Sequence, residues 1–226
     1  MIERVWRQAR QGKLIDKLIV ATDDKRIASV ALGFGASVAM TGPNHQTGTD
    51  RLAEVSASEP GYAIVVNIQG DEPLISPQAI DQGVEPLLHD PEIEMATLAM
   101  PLRTLKEAES QNMVKTVIDR QGFALYFSRA PIPFYREQHP SGDSKYLGHI
   151  GLYVYRRTTL LKLSLLAPAP LELAEQLEQL RALENGIRIK VVPTSYHSLP
   201  VDTPADVESV ERALGSTGSE AGNFPL

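Results

Sequence analysis

The stretch Ile64-Val65-Val66-Asn67-Ile68-Gln69-Gly70-Asp71-Glu72-Pro73 decides the fold class. Its first half is an unbroken apolar run rich in β-branched residues, which predicts a central strand buried on both faces of a parallel sheet. Gly70 breaks the run and Pro73 ends it, so Asp71 and Glu72 fall just past the carboxyl end of that strand. Ligands bind in this crevice of open α/β sheets. A carboxylate there suits Mg²⁺, a hard cation that shares oxygen ligands with substrate phosphates. Asp71 and Glu72 fit equally well as turn or cap residues, because Asp favours turns.

The flanking sequence alternates between strand and helix patterns. Ile2, Val5, Trp6 and Ala9 share one helical face, so the chain opens in an amphipathic helix that ends near Gly12. Leu18 to Thr22 is a strand; Asp23-Asp24 starts a helix ending near Gly33 and Gly35; Ala36 to Met40 is a strand. The rhythm predicts a mostly parallel sheet with right-handed crossovers. His45, Gln46, Thr47, Thr49 and Arg51 then gather at a helix N-terminus. Backbone N–H groups there favour anions, and an Arg can grip a carboxylate or phosphate bidentately. A Thr-capped helix with a surface Arg explains the same residues.

Downstream of the central strand, Ser76 and Pro77 form an N-cap and N1 pair for a helix running to about Leu88. Met95 to Met100 is a strand. Val114 to Ile118 and Phe123 to Ser128, joined by Asp119-Arg120-Gln121-Gly122, read as an antiparallel hairpin inserted into the domain at about 113–155. His149 to Tyr155 is a strand. Leu173, Leu177, Leu180 and Leu183 mark one helix closed by Asn185-Gly186, with Glu175, Glu178 and Gln179 on what would ordinarily be its solvated face. Ile187 to Val192 is the last strand, and Thr203-Pro204 opens the last helix. Residues 1–214 therefore read as a single domain, and 215–226 as a disordered tail.

Composition excludes several classes. The chain has 226 residues, enough for one large α/β domain, and 42% hydrophobic with 22% charged residues is ordinary for a globular protein. A net charge of −6 argues against a general nucleic-acid binder, while leaving room for a locally basic site for a small anion. With no Cys there is no disulfide framework, thiolate nucleophile or Cys-zinc site, which suits the cytoplasm. No apolar run approaches the about 20 residues of a membrane span, and Met1-Ile2-Glu3-Arg4 does not open a signal peptide. Neither a Gly-x-Ser-x-Gly elbow, a His-Glu-x-x-His site, nor a Gly-rich phosphate loop is present. What remains is a pair of carboxylates at presumed strand ends, Asp71 and Asp202, which together could clamp Mg²⁺ over phosphates.

Six blocks carry a resemblance. Thr47-Gly48-Thr49-Asp50-Arg51-Leu52-Ala53-Glu54, Val66 to Pro73, Ala124-Leu125-Tyr126-Phe127-Ser128-Arg129-Ala130, His149-Ile150-Gly151-Leu152-Tyr153, Leu177-Glu178-Gln179-Leu180-Arg181 and Val201-Asp202-Thr203-Pro204 resemble, in order, the 3-deoxy-manno-octulosonate cytidylyltransferases. The resemblance spans Met1 to about Leu214. It implies a Rossmann-like nucleotidyltransferase fold, usually a homodimer, that makes CMP-Kdo and diphosphate from CTP and 3-deoxy-D-manno-octulosonate (Kdo) for lipopolysaccharide. It implies Mg²⁺ bound by Asp71 and Asp202, and sugar contacts from Arg51, Gln69, His149, Tyr153, Glu178 and Gln179, with Arg129 nearby. Transfer to another acid sugar is the near alternative.

Two departures from the family pattern carry expectations. Gly148 stands where the family usually has a basic residue, so one anion contact is expected to be lost. The family also opens with a strand and a phosphate-gripping loop that precede the helix with which this chain starts. A chain truncated in this way is expected to expose two strand edges and to be inactive, leaving a remnant that binds or dimerises.

Overall fold

The computed structural model describes residues 1–45, 47–136, 146–201 and 203–217. In order they form α1 (Ile2–Ala9), β1 (Ile19–Thr22), α2 (Lys25–Gly33), β2 (Ser37–Met40), α3 (Gly48–Ser58), β3 (Ile64–Asn67), α4 (Pro77–His89) and β4 (Met95–Pro101). There follow α5 (Leu105–Glu109), β5 (Lys115–Ile118), β6 (Ala124–Ser128), β7 (Leu147–Arg156), α6 (Arg157–Leu163), α7 (Pro170–Glu175), α8 (Gln179–Glu184), β8 (Ile189–Pro193) and α9 (Pro204–Thr217). The predicted caps form. Asp24, Thr47 and Ser76 each accept a hydrogen bond from a backbone N–H in the first turn of α2, α3 and α4, satisfying donors that a helix start leaves unpaired. The last helix continues to Thr217, beyond the expected boundary at 214. The rest of the tail and the loop around Pro140-Ser141-Gly142-Asp143 lie outside the described residues.

The sheet is mixed, which corrects the mostly parallel expectation. β7 is the reason: its ten residues pair antiparallel with β3, β4 and β5, while β4 pairs parallel with β8. The hairpin β5–β6 joins the same six-stranded sheet through Lys115↔Gly148 and Thr116↔Leu147. β1 and β2 form a separate two-stranded parallel sheet.

A second correction concerns the strand buried on both faces. β3 is only half-buried along its length and pairs with β7 alone. A cavity of about 550 Å³ separates it from β1, lined by Ile2, Trp6, Val20, Leu52 and Val66. The strand closed in on both faces is β4, flanked by β7 and β8 and buried from Met95 to Met100. α4 covers one face, where Ile80, Val84 and Leu87 meet Leu98, Ile150, Leu152 and Val154. A Cβ on Gly83 would sit 3.0 Å from Leu152 Cδ2, so the missing side chain is what lets α4 lie this close to β7. α6 and α8 cover the other face with Leu160, Leu163 and Leu180 against Met95, Ala99, Tyr155 and Ile189. Burying such aliphatic side chains is worth about 1.5–3 kcal/mol each, and the two packed faces hold β4 and β7 rigidly beneath the site.

Candidate active site

The end of β3 separates the two carboxylates that the sequence left equivalent. Glu72 is buried and accepts hydrogen bonds from Tyr196 Oη at 3.1 Å and from Ser198 Oγ. It fastens the segment after β8 to the end of β3. Burial, reinforced by the neighbouring Glu72 charge, pushes the Tyr196 phenol above its ordinary value, so it remains a donor. Asp71 is half-buried, and its carbonyl accepts from Val201 N at 2.9 Å. That bond brings the residue before Asp202 against Asp71; Asp202 itself lies outside the described residues.

Beside this point a second cavity, of about 230 Å³, opens between the start of α3, β7 and the α7–α8 junction. Gln69, Tyr153, Glu178 and Gln179 line it, with Thr49 and Asn67. Four of the predicted contacts therefore converge. The convergence of Glu178 and Gln179 corrects the single-helix reading of this stretch. Gln176 adopts a left-handed conformation (φ 55), which ends α7 before α8 begins at Gln179. The break buries Gln179 and leaves Glu178, still exposed, at the cavity beside Thr49. Thr49 Oγ1 donates to Glu178 Oε2 at 2.7 Å and fixes that carboxylate. Gln179 is 5% exposed, and its Nε2 has no hydrogen-bond partner among the described residues. A desolvated, unsatisfied donor costs about 1–3 kcal/mol, so a ligand acceptor in the cavity would relieve it. Burial raises the phenols of Tyr153 and Tyr155, which stay protonated at neutral pH.

His149 stands one pleat along from Tyr153, with ring centroids 5.3 Å apart, and its Nε2 lies 2.9 Å from Thr97 Oγ1. Burial pushes its pKa down to about 3, so the imidazole is neutral. Arg51 lines the larger cavity, which adjoins the smaller one along Gly48, Asn67 and Gln69. It pairs with Asp23 at 3.1 Å and donates to Thr41 Oγ1. Arg129 does not line either cavity. Its Nε donates to Glu175 O at 2.8 Å and its Nη1 to Gln111 O at 2.9 Å, while its backbone N–H donates to the Glu175 carboxylate at 2.9 Å. It thus ties the end of β6 to the segment carrying Glu178 and Gln179. Of the anion cluster at the start of α3, His45 bonds Glu54 and Thr47 caps the helix; Gln46 lies outside the described residues.

Two residues were not singled out in the sequence as candidates for the site. Asp23 follows the carboxyl end of β1, the position that singled out Asp71, and that rule would have found it. Thr97 carried no local signal, since a lone Thr in an apolar strand is unremarkable. The family's basic residue before His149 would crowd its neighbours here: a Cβ on Gly148 would lie 2.5 Å from Leu102 Cδ2 and 3.0 Å from Met113 Sδ, so those side chains would have to move.

Among the described residues no group of three or more His, Asp or Glu gathers to form a metal cage. Mg²⁺ needs no such cage, since it is usually held by one or two carboxylates together with substrate phosphates. The half-buried Asp71, two residues past the cavity-lining Gln69, is a donor of the right kind.

A sequence model of the cytidylyltransferases matches residues 1–189. The chain is 50% identical to a 3-deoxy-manno-octulosonate cytidylyltransferase of Geobacter sulfurreducens, over 95% of this chain and 88% of that one. It is 53% identical to the protein of the same name from Syntrophotalea carbinolica, again over 95% and 88%. Its fold matches a solved CMP:2-keto-3-deoxy-manno-octonic acid synthetase in complex with CTP, at a TM-score of 0.89 and 37% identity, over 96% of this chain and 88% of that one. The expectation of an inactivating truncation finds no support in these comparisons. With sequence identity and fold in agreement, the chain belongs to the 3-deoxy-manno-octulosonate cytidylyltransferase family.

Proposed function

We propose that this chain transfers CMP from CTP to Kdo, releasing diphosphate, and that the CMP-Kdo formed feeds lipopolysaccharide assembly. The observation that carries the reading is the convergence of Gln69, Tyr153, Glu178 and Gln179 on one cavity beside Asp71, in a chain of this family. Kdo is an acid sugar with many hydroxyls. Gln69, Tyr153 and the unpartnered Gln179 amide offer hydrogen bonds to those hydroxyls, and Glu178, held by Thr49, accepts from them. The Arg51 guanidinium, beside the adjoining cavity, takes the sugar carboxylate. Arg129 acts at one remove by fastening the segment that bears Glu178 and Gln179.

Held this way, the anomeric 2-hydroxyl of Kdo gives up its proton to solvent and attacks the α-phosphorus of CTP. The bond from that phosphorus to the bridging oxygen breaks, and diphosphate leaves. Asp71 and Asp202 would hold Mg²⁺, which supplies charge neutralisation on the phosphates and a lowered pKa for the attacking hydroxyl. No covalent enzyme intermediate is required. We place the enzyme in the cytoplasm as a homodimer; no helix among the described residues is long and apolar enough to cross a membrane.

The test is diphosphate release with CTP, Kdo and Mg²⁺. Asp71→Ala should keep the wild-type circular dichroism spectrum and lose turnover by orders of magnitude. Arg51→Ala should weaken Kdo by the about 1.5–3 kcal/mol of a charge-assisted contact and CTP far less. Ordinary Mg²⁺-dependent turnover in Asp71→Ala, or a faster reaction with a different acid sugar assayed alongside Kdo, would overturn the assignment.

A further inference from the structure

Strand β4 meets β7 in regular antiparallel register from Met95↔Tyr155 to Thr97↔Tyr153, and the next pair is Leu98↔Ile150. Gly151 and Leu152 therefore have no counterpart on β4, and β7 bulges. Such bulges re-aim side chains and recur beside active sites. Here the bulge separates His149 from Tyr153, and Thr97 sits against it. The Thr97 side chain is fully buried, and its Oγ1 lies 2.8 Å from Leu152 O, 3.1 Å from Ile150 O and 2.9 Å from His149 Nε2.

Counting protons settles the direction of these bonds. A hydroxyl has one hydrogen to donate, and carbonyl oxygens can only accept. Were Oγ1–H aimed at the imidazole, its lone pairs would face two carbonyl oxygens with nothing between them. The hydroxyl therefore donates to a bulge carbonyl and accepts from His149. The imidazole must then carry its proton on Nε2, which leaves Nδ1 as a bare acceptor. Its depressed pKa keeps it in that neutral form, and edge-on packing against Phe127, with centroids 5.0 Å apart, holds the ring plane.

We propose that Thr97 is a positioning residue for sugar recognition: by accepting from Nε2 at the bulge it fixes His149 in one tautomer, so that Nδ1 receives a hydroxyl hydrogen of the acid sugar. A neutral acceptor repels a carboxylate, so His149 reads a hydroxyl and the carboxylate is left to Arg51. The proposal rests on the functional reading above for the identity of the sugar, but the tautomer does not.

The experiment uses the full chain labelled with ¹⁵N-histidine at neutral pH, with His149 assigned by comparison with His149→Asn. A long-range ¹H–¹⁵N correlation spectrum should show His149 Nδ1 as the unprotonated nitrogen in the wild type and in Thr97→Ser. In Thr97→Val that single tautomer should be lost. The KM for Kdo should rise about threefold to tenfold in Thr97→Val, as for one neutral hydrogen bond, with the KM for CTP unchanged, and Thr97→Ser should restore it. An unprotonated Nε2 in the wild type overturns the proposal, as does a Thr97→Val variant that keeps the tautomer, or equal KM values in the Val and Ser variants. If Thr97→Val does not fold, the wild-type spectrum still decides the tautomer. If the wild type transfers CMP to no acid sugar, the functional reading fails together with the sugar half of this proposal. The spectra then still decide whether Thr97 holds the ring.

Discussion

At the scale of single residues, the candidate site is shaped by side chains that line neither cavity. Glu172 and Arg181 form a buried bidentate pair, with Nε–Oε2 2.8 Å and Nη2–Oε1 2.5 Å, and each residue is 6% exposed. The pair bridges the break between α7 and α8, so it helps shape the turn that presents Glu178 and Gln179. Burial alone would raise the Glu172 pKa, but the Arg181 hydrogen bonds and the Ala169 N–H outweigh it and hold the carboxyl below its ordinary 4.5. A carboxylate lowered in the folded state stabilises the fold at pH above its ordinary value, and that contribution is lost as pH falls through the lowered one. Urea midpoints should therefore drop on acidification below about pH 4.5 in the wild type, and part of that drop should vanish in Glu172→Gln. Arg181→Met leaves the carboxylate buried without its partner and should cost about 3–5 kcal/mol at neutral pH. A midpoint unchanged in Arg181→Met would show that the pair contributes nothing.

At the scale of elements, β7 does two jobs with alternate residues. Ile150, Leu152 and Val154 pack under α4, while Tyr153 and Tyr155 line the smaller cavity and His149 packs against Tyr153. Gly148 belongs to the first job. In its place beside Leu102 and Met113 a side chain would push those neighbours aside, so a basic residue here works against packing. Gly148→Lys should destabilise by about 1–3 kcal/mol, the usual cost of overpacking, and should not tighten CTP binding. Chemical denaturation and CTP titration of the variant test this together. Wild-type stability combined with tighter binding would show that the position still serves an anion.

Across the whole molecule, stability is uneven. Two large apolar clusters clasp the six-stranded sheet, but β1 and β2 rest on a small one made of Val20, Ala31 and Ala36 with Ile2, Trp6, Phe34 and Val38. Among the described residues no ladder joins the two sheets, and the larger cavity lies between them. Local opening follows such differences in buried contact. Amide exchange should be markedly faster at Val20 and Val38 than at Ala96, Leu98 and Val154. Equal protection in the two sheets would mean that they unfold as one unit. Ligands that bridge the two cavities should slow exchange in β1, because Arg51 and Asp23 join the start of α3 to the end of that strand.

Elements and motif blocks were legible in the sequence because their causes are local. Ser76 caps the helix it was expected to cap, and Asp24 and Thr47 cap helices whose starts the sequence marked there, since a cap is a bond between residues two or three apart. Gln69, Tyr153, Glu178 and Gln179 could be named from their blocks alone. Strand direction and burial depend instead on what lies across each edge. Only the tertiary structure placed β7 antiparallel in the middle of the sheet, gave β4 the doubly buried position expected of β3, and opened the break at Gln176. The role of Thr97 was hidden for the same reason: its partners, His149, Ile150 and Leu152, lie on another strand, and chain proximity carries no trace of them.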